Sequence, residues 1–219
     1  TKVHSQNYWL ISSEVIYPPV DTDKIKSLKK KKFILSVGRF FGYLKDKKQE
    51  LLINTFKNTY QKDNLKDWNL HLVGSASEGD KSYIVELKKL AKDLPIIFYP
   101  NLEYEKLVKL YGESSIYWHA AGYGEKDPTK MEHFGISTVE AMAGGCVPIV
   151  VNKGGQIEIV EDGKSGFLWN SLKELEEYTT LLVKDQNLRS KLSQQAILAS
   201  RKFSKIRFAG EISKLIKNS

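Results

Sequence analysis

Short apolar runs bounded by glycine or polar residues alternate along this chain with segments whose apolar positions recur at helical spacing. That is the pattern of parallel strands joined by crossover helices. Residues 33–37 form the first predicted core strand, stopped by Gly38, and a helix is expected over 50–56. Strand 69–73 ends before Gly74, and helix 82–94 places Ile84, Leu87, Leu90 and Ala91 on one face. Strand 96–99, helix 104–113 and strand 116–119 follow, the last ending at His119 before Ala120. Residues 121–131, with Gly122, Gly124 and Pro128, read as a long loop, and long loops in compact domains are often functional. Strand 147–151, a glycine turn at Gly154-Gly155, a short helix over 157–160, the turn Glu161-Asp162-Gly163 and strand 166–169 complete the alternation, and helices dominate from Leu172 onward. The simplest architecture is one α/β domain with a Rossmann-like, doubly wound parallel sheet and a helical C-terminal segment. Ligands of such sheets gather at the carboxyl ends of the strands. Segment 15–21 reads as a strand running into a linker at Pro18-Pro19-Val20-Asp21.

Candidate chemistry concentrates in Glu132-His133-Phe134-Gly135-Ile136-Ser137-Thr138-Val139-Glu140, which runs into the small-residue helix Ala141-Met142-Ala143-Gly144-Gly145. Gly135 permits a close turn and Ser137 can cap a helix. An anion before that helix would meet unpaired N–H groups at a positive dipole end. One carboxylate stands before the turn and the other is expected in the first helical turn, which suits a ligand with a phosphate at the helix mouth and hydroxyls to either side. A nucleotide sugar is such a ligand. Ser137-Thr138-Val139-Glu140 also reads as a capping box, so capping is the rival role for Glu140.

With 219 residues, 41% of them hydrophobic, the chain can bury a sizeable core. Lys and Arg outnumber Asp and Glu by 34 to 26, a formal +8 that invites an acidic partner. Much of the excess lies in Lys24, Lys26, Lys29, Lys30, Lys31 and Lys32 and in Lys205, Arg207, Lys214 and Lys217, where solvated surface is the plainer reading. No groove-reading motif supports nucleic-acid binding. Cys146, the single cysteine, excludes an intramolecular disulfide and is expected to be a buried, inert thiol in a reducing compartment. No apolar run approaches the length of about eighteen residues that marks a membrane span. The start Thr1-Lys2-Val3-His4-Ser5 is not a signal peptide, and the absence of an initial Met points to a piece of a longer protein. Asp21-Thr22-Asp23 reads as a turn, since oxygen ligation of a metal needs further partners. His71 and His119 sit in apolar strands without zinc-like spacing.

Several linked segments carry a resemblance over residues 15–169: Glu132-His133-Phe134-Gly135-Ile136, Val139-Glu140-Ala141-Met142-Ala143, Gly144-Gly145-Cys146-Val147-Pro148, Gly154-Gly155-Gln156-Ile157-Glu158-Ile159-Val160 and Asp162-Gly163. Together they resemble the C-terminal, donor-binding domain of retaining GT-B glycosyltransferases of the large family four, the glycosyl transferases group 1. The resemblance implies one half of a GT-B fold. It places Glu132 against the donor sugar and Glu140 on the nucleotide ribose. It puts Arg39, after Val37-Gly38, on the diphosphate, with Lys47 as second cation; Lys48 stands where the family has glycine, so either lysine can serve. The backbone of Phe134, Gly135 and Ile136 forms the phosphate or sugar cradle, with Gly38 and Gly74 at the strand ends. The base is expected near Tyr99-Pro100-Asn101-Leu102, where Pro100 replaces a common family glycine, and His119 is a further option for the sugar. His133 also replaces a family glycine and either narrows the pocket or faces solvent. Gly154-Gly155 either admits the donor closely or turns the chain.

Read this way, residues 1–20 are a linker, 21–200 the donor-binding domain, and 201–219 a C-terminal helix packing toward an N-terminal domain. The implied activity is hexose transfer, with retention, from a UDP- or GDP-sugar to a glycan or lipid-linked acceptor. No metal or other cofactor is expected, since fixed cations take the metal's place. The alternative is an inactive nucleotide-sugar-binding or regulatory module. A cytoplasmic location follows, with the lysines compatible with peripheral contact at an anionic inner membrane face. On this reading Glu132→Ala spares free nucleotide and weakens sugar-dependent binding, whereas Arg39→Ala weakens diphosphate binding.

Overall fold

The computed structural model describes residues 15–44, 46–62 and 64–218. The first five residues and most of the expected 1–20 linker lie outside the described residues, as does Lys45. Six parallel strands, β1 (Lys31–Val37), β2 (Asn69–Gly74), β3 (Ile96–Pro100), β4 (Ser114–His119), β5 (Val147–Val151) and β6 (Phe167–Trp169), form one sheet in the order β3-β2-β1-β4-β5-β6. The register pairs Ile34 with both Leu70 and Ile116, and Ile116 with Val147. The chain builds outward from β1 to β3, then crosses back to β4 and builds the other way. The order therefore reverses between β1 and β4, and the crevice outside their carboxyl ends is where such a sheet holds a ligand.

Helices cover both faces, so each central strand is apolar on both sides and reads as a continuous hydrophobic run. Ile34, Leu70, Leu72, Trp118 and Ile149 face one way, against Leu52, Ile53 and Phe56 of α1 (Gln49–Gln61), Leu87 of α2 (Lys81–Leu90) and Leu175 and Leu182 of α6 (Leu172–Lys184). Leu35, Val73, Tyr117 and Val150 face the other, against Tyr111 of α3 (Tyr104–Glu113), Val139 and Met142 of α4 (Ile136–Ala143), Ile159 of α5 (Gln156–Ile159) and Ala196 of α7 (Gln186–Ser200). The last helix is α8 (Lys205–Asn218), which leaves Ile206, Leu215 and Ile216 exposed.

Several expectations are corrected. Segment 15–21 is not a strand: Val20 makes one isolated bridge to Ser204, and Tyr17 packs on Phe134 and Phe203. Helix α2 stops at Leu90 rather than 94, because Asp93 adopts φ +64° and cannot continue a right-handed helix. Ile84, Leu87 and Ala91 are buried as expected. Lys30 does not belong to a solvated run. Its ammonium turns inward and donates to the carbonyls of Gly112 (2.8 Å), Ser114 (2.8 Å) and Gly144 (2.5 Å), at the carbonyl ends of α3 and α4, where a cation is favoured. Burial pushes its pKa down. Cys146 is buried, donates weakly to Tyr111 O (3.1 Å), and burial pushes its thiol up to about 11. His71 is buried between Phe33 and Tyr99, with neither ring nitrogen hydrogen-bonded. Asp21-Thr22-Asp23 enters a 3-10 turn, and the Asp21 carboxylate accepts from Lys205 at 2.6 Å. No helix of the described residues is long and apolar enough to cross a membrane.

Candidate functional site

Residues expected to act together do meet at the switch point. Gly38 and Arg39 follow β1, Gly74 closes β2 beside them with Gly38 N donating to Val73 O (2.9 Å), and His119 ends β4. Two cavities open along this edge. One, of about 440 Å³, lies between Arg39, Asp46 and Lys47 on one side and the loop from Glu125 to His133 on the other, with Glu132 in its wall. The second, of about 400 Å³, runs over the ends of β1 and β2 between Gly38, Gly74, Asn101, Leu102 and Leu107. Arg39 lines both. Its side chain is about half exposed (54%), lies over Phe41, and meets Asp46 loosely at 3.4 Å.

Lys47 Nζ donates to Glu132 Oε2 at 2.8 Å, and both side chains are about three-quarters covered, at 24% and 23% exposed. His119 stands behind the carboxylate, with Nε2 3.5 Å from the same oxygen and the ring only 4% exposed. His119 first, opposed by burial and assisted by Lys47, holds the Glu132 carboxyl down at about 2. His119 is not in the wall of either cavity and contacts Glu132 instead. The two lysines point to different places. Lys48, at φ +55°, turns its side chain away from the first cavity and donates to Glu125 Oε1 at 2.8 Å. Lys153 Nζ donates to Glu125 O at 2.6 Å, so the long loop is tied at Glu125 from two sides.

The capping box does not form. Helix α4 opens at Gly135, whose carbonyl accepts from Thr138 N and Val139 N, and Glu140 lies in the second helical turn rather than the first. Ser137 instead accepts from Tyr117 Oη at 2.8 Å. Gly135 must be glycine on two counts: φ is +111°, and a Cβ would lie 2.5 Å from Gln156 Nε2. The Glu140 carboxylate accepts from Tyr111 Oη (3.0 Å) and Tyr104 Oη (3.4 Å), and burial raises its pKa. Each carboxylate oxygen thus already accepts one tyrosine hydroxyl. The Phe134 side chain leaves the site for Tyr17 and Phe203. Its backbone stays at the helix mouth with Gly135 and the half-exposed Ile136, and none of the three lines either cavity. His133 is exposed and lies on the rim of the first cavity.

The glycine turn packs directly against the loop that carries Glu132. Gly155 N donates to Glu132 O (2.7 Å), and a Cβ on Gly155 would come within 2.5 Å of His133 O and of Phe134 Cα. Residues without a motif complete the support. Buried Gln49 donates to the carbonyls of Arg39 (2.9 Å) and Gly38 (3.3 Å) and receives Tyr83 Oη. Asn101, at φ +56°, bonds both backbone groups of Ala76 through its side chain. Buried Gln156 accepts from Thr138 Oγ1 at 2.9 Å and locks α4 to α5. Among the described residues no three His, Cys, Asp or Glu side chains gather as metal ligands would.

The edge therefore offers two joined hollows, a half-exposed guanidinium at their junction, and a fixed carboxylate and ammonium beyond it. Comparisons with known proteins bear on the family and the fold. The family model described as "Glycosyl transferases group 1" matches residues 20–199. The chain is 28% identical over 221 residues to a GDP-Man:Man(3)GlcNAc(2)-PP-Dol alpha-1,2-mannosyltransferase of Dictyostelium discoideum, covering 93% of this chain and 42% of the relative. It is 30% identical over 191 residues to the protein so named in Xenopus laevis, covering 77% of this chain and 36% of the relative. It thus spans less than half the length of these curated relatives. Among solved structures, the C-terminal domain of a glycosyl transferase group 1 family protein (LpcC) from Francisella tularensis superposes with a TM-score of 0.70 at 23% identity, covering 85% of this chain and 99% of that one. Anabaena HepE in complex with UDP and glucose superposes with a TM-score of 0.74 at 19% identity, over 94% of this chain and 57% of that one. These likenesses confirm the Rossmann-like α/β fold.

Proposed function

The chain belongs to the glycosyl transferases group 1 family, and from that premise we propose that it is the donor-binding half of an enzyme that moves a hexose, with retention and without a metal, from a nucleoside diphosphate sugar to an acceptor hydroxyl. The observation that carries the reading is Arg39, shared by the two cavities, with Lys47 and Glu132 on its far side. The nucleoside occupies the cavity over Gly38, Gly74 and Leu102, the diphosphate meets Arg39 and Lys47, and the sugar reaches Glu132. Glu140 exchanges a tyrosine hydroxyl for a ribose hydroxyl.

When the glycosidic bond breaks, negative charge grows on the departing β-phosphate. Two cations held in a partly covered cleft stabilise that charge more in the transition state than in the ground state. A charged carboxylate holds sugar hydroxyls more firmly than a neutral acceptor would. The names of the relatives favour GDP-mannose as donor and a lipid-linked oligosaccharide as acceptor. The acceptor site is completed by the part of a longer protein that the relatives carry beyond the matched length, and the exposed Ile206, Leu215 and Ile216 of α8 offer an apolar surface against which it can pack. The excess of lysine suits peripheral contact with an anionic membrane on the cytoplasmic side, and no nucleic acid is involved.

Calorimetric titration with GDP, UDP, GDP-mannose and UDP-glucose tests the reading. Binding of a nucleotide sugar in the micromolar to millimolar range, with transfer efficient only in the longer protein, is expected. Failure of every nucleoside diphosphate to bind refutes it.

A further inference from the structure

The two cations assigned to the diphosphate are held very differently. Arg39 is about half exposed, and its carboxylate neighbour is 3.4 Å away. Lys47 is three-quarters covered and directly bonded to Glu132 at 2.8 Å. The group that is to hold the sugar thus occupies, before any ligand arrives, one of the groups that is to hold the phosphates. Glu132 is ionised across the physiological range, since His119 and Lys47 hold its pKa at about 2. Among the described residues its other partner is His119, at 3.5 Å.

A nucleoside diphosphate without sugar can recruit Lys47 only by drawing it off Glu132. That leaves a mostly covered carboxylate which, among the described residues, has His119 alone, close to incoming phosphates of the same sign. Stranding a charge in this way opposes binding. An intact nucleotide sugar behaves differently. Its hydroxyls arrive at the same carboxylate and donate the hydrogen bonds that the ammonium gives up.

We propose that the Lys47–Glu132 ion pair is a specificity device that selects the intact nucleotide sugar over the free nucleoside diphosphate, and so favours release of that product after transfer. The inference rests on the donor-site reading above and adds to it an intramolecular competitor. Specificity here comes from what the wrong ligand leaves unpaired, a form of selection against the competitor rather than for the substrate.

Isothermal titration of wild type, Glu132→Gln, Lys47→Met and the double variant with GDP and GDP-mannose, and in parallel with UDP and UDP-glucose, decides it. Removing the carboxylate's charge frees Lys47, so Glu132→Gln should bind the free diphosphate about tenfold tighter, the scale of one charged hydrogen bond. Its affinity for the nucleotide sugar should not rise, and the preference for the sugar-bearing ligand should fall. In the Lys47→Met background the same change should bring no gain. Glu132→Ala replaces Glu132→Gln if the glutamine variant melts unfolded. If wild type binds nucleotide sugar while the neutralised variant binds free diphosphate no more tightly, the ion-pair inference is overturned and the donor site stands. If no form of the protein binds any nucleotide, both are overturned.

Discussion

An alanine at position 155 would place its methyl carbon 2.5 Å from three backbone atoms, His133 O, Phe134 Cα and Phe134 O. The backbone angles of Gly155, φ −70° and ψ −13°, suit alanine, so the conformation itself resists nothing. A less flexible unfolded chain would even favour the variant by about 0.4–1 kcal/mol. Against that stands an overlap with main chain, which cannot rotate away as a side chain would. Overpacking of this kind costs about 1–3 kcal/mol. The net loss is about 1–2 kcal/mol, a fall in Tm of about 3–6 °C for a domain of this size. The direction of relaxation matters more than its cost. The atoms pushed belong to the segment that carries Glu132, and Gly155 N also holds that segment through Glu132 O at 2.7 Å. Arg39 sits on a different loop, positioned by Gln49. Affinity for a nucleotide sugar should therefore fall by about tenfold, the scale of a charged hydrogen bond, while affinity for the free nucleoside diphosphate holds or rises. Thermal melting by circular dichroism and paired calorimetric titrations measure both. An unchanged Tm with an unchanged preference for the sugar-bearing ligand would show that the turn does not support the Glu132 loop. Equal weakening of both ligands would show that the turn supports the diphosphate wall as well.

Arg39→Ala should weaken free nucleoside diphosphate and nucleotide sugar alike by about ten- to a hundredfold, since a charged hydrogen bond contributes about 1.5–3 kcal/mol; loss confined to the sugar-bearing ligand would remove Arg39 from the diphosphate. Lys30→Met, which strips the carbonyls of Gly112, Ser114 and Gly144 of their ammonium, should destabilise the fold by about 2 kcal/mol in urea titrations, and a variant as stable as wild type would make that ammonium dispensable. Burial holds His71 down at about 4 against 6.5 for the unfolded ring, so the unfolded state binds more protons between those values. Its contribution is complete above pH 6.5 and is lost as pH falls toward 4, about 3 kcal/mol in all. His71→Phe should flatten the stability profile in that window, and an unaltered slope would place the titration elsewhere.

The strand series was legible because every central strand is buried on both faces, which leaves runs such as Val147–Val151 with no polar position to blur them. The switch point follows once the strand order is known, Arg39 stands just past the end of β1, and Glu132 stands out through the segment Glu132-His133-Phe134-Gly135-Ile136 and the resemblance that segment carries. Other features depend on meetings that a linear string does not encode. Lys30 looks like its neighbours until two helix ends converge on it. Gln49, Tyr104, Tyr111 and Gln156 carry no motif, since a polar side chain is a support only relative to what it supports. Segment 15–21 has strand-like residues but no edge to pair with beyond Ser204.

Lys47 and Lys48 show most sharply what separates the two kinds of residue. They are chemically identical and adjacent, so side-chain type cannot tell them apart. One backbone angle does. At φ +55° the chain at Lys48 turns through the left-handed region, which is where a glycine would be at ease, and the two side chains diverge: Lys47 to Glu132 in the first cavity, Lys48 to Glu125 on the long loop. Retaining a lysine in a conformation that costs about 1–2 kcal/mol needs a return, and its ion pair with Glu125 on the cavity wall supplies one. The same divergence couples the two walls of the site. Read along the sequence, the diphosphate wall at Arg39 and Lys47 and the sugar wall at Glu132 are independent, and a substitution in one should spare the ligand of the other. The 2.8 Å contact between Lys47 and Glu132 joins them electrostatically, so on the proposed assignment a change at Glu132 should register in the affinity for a ligand that carries no sugar at all.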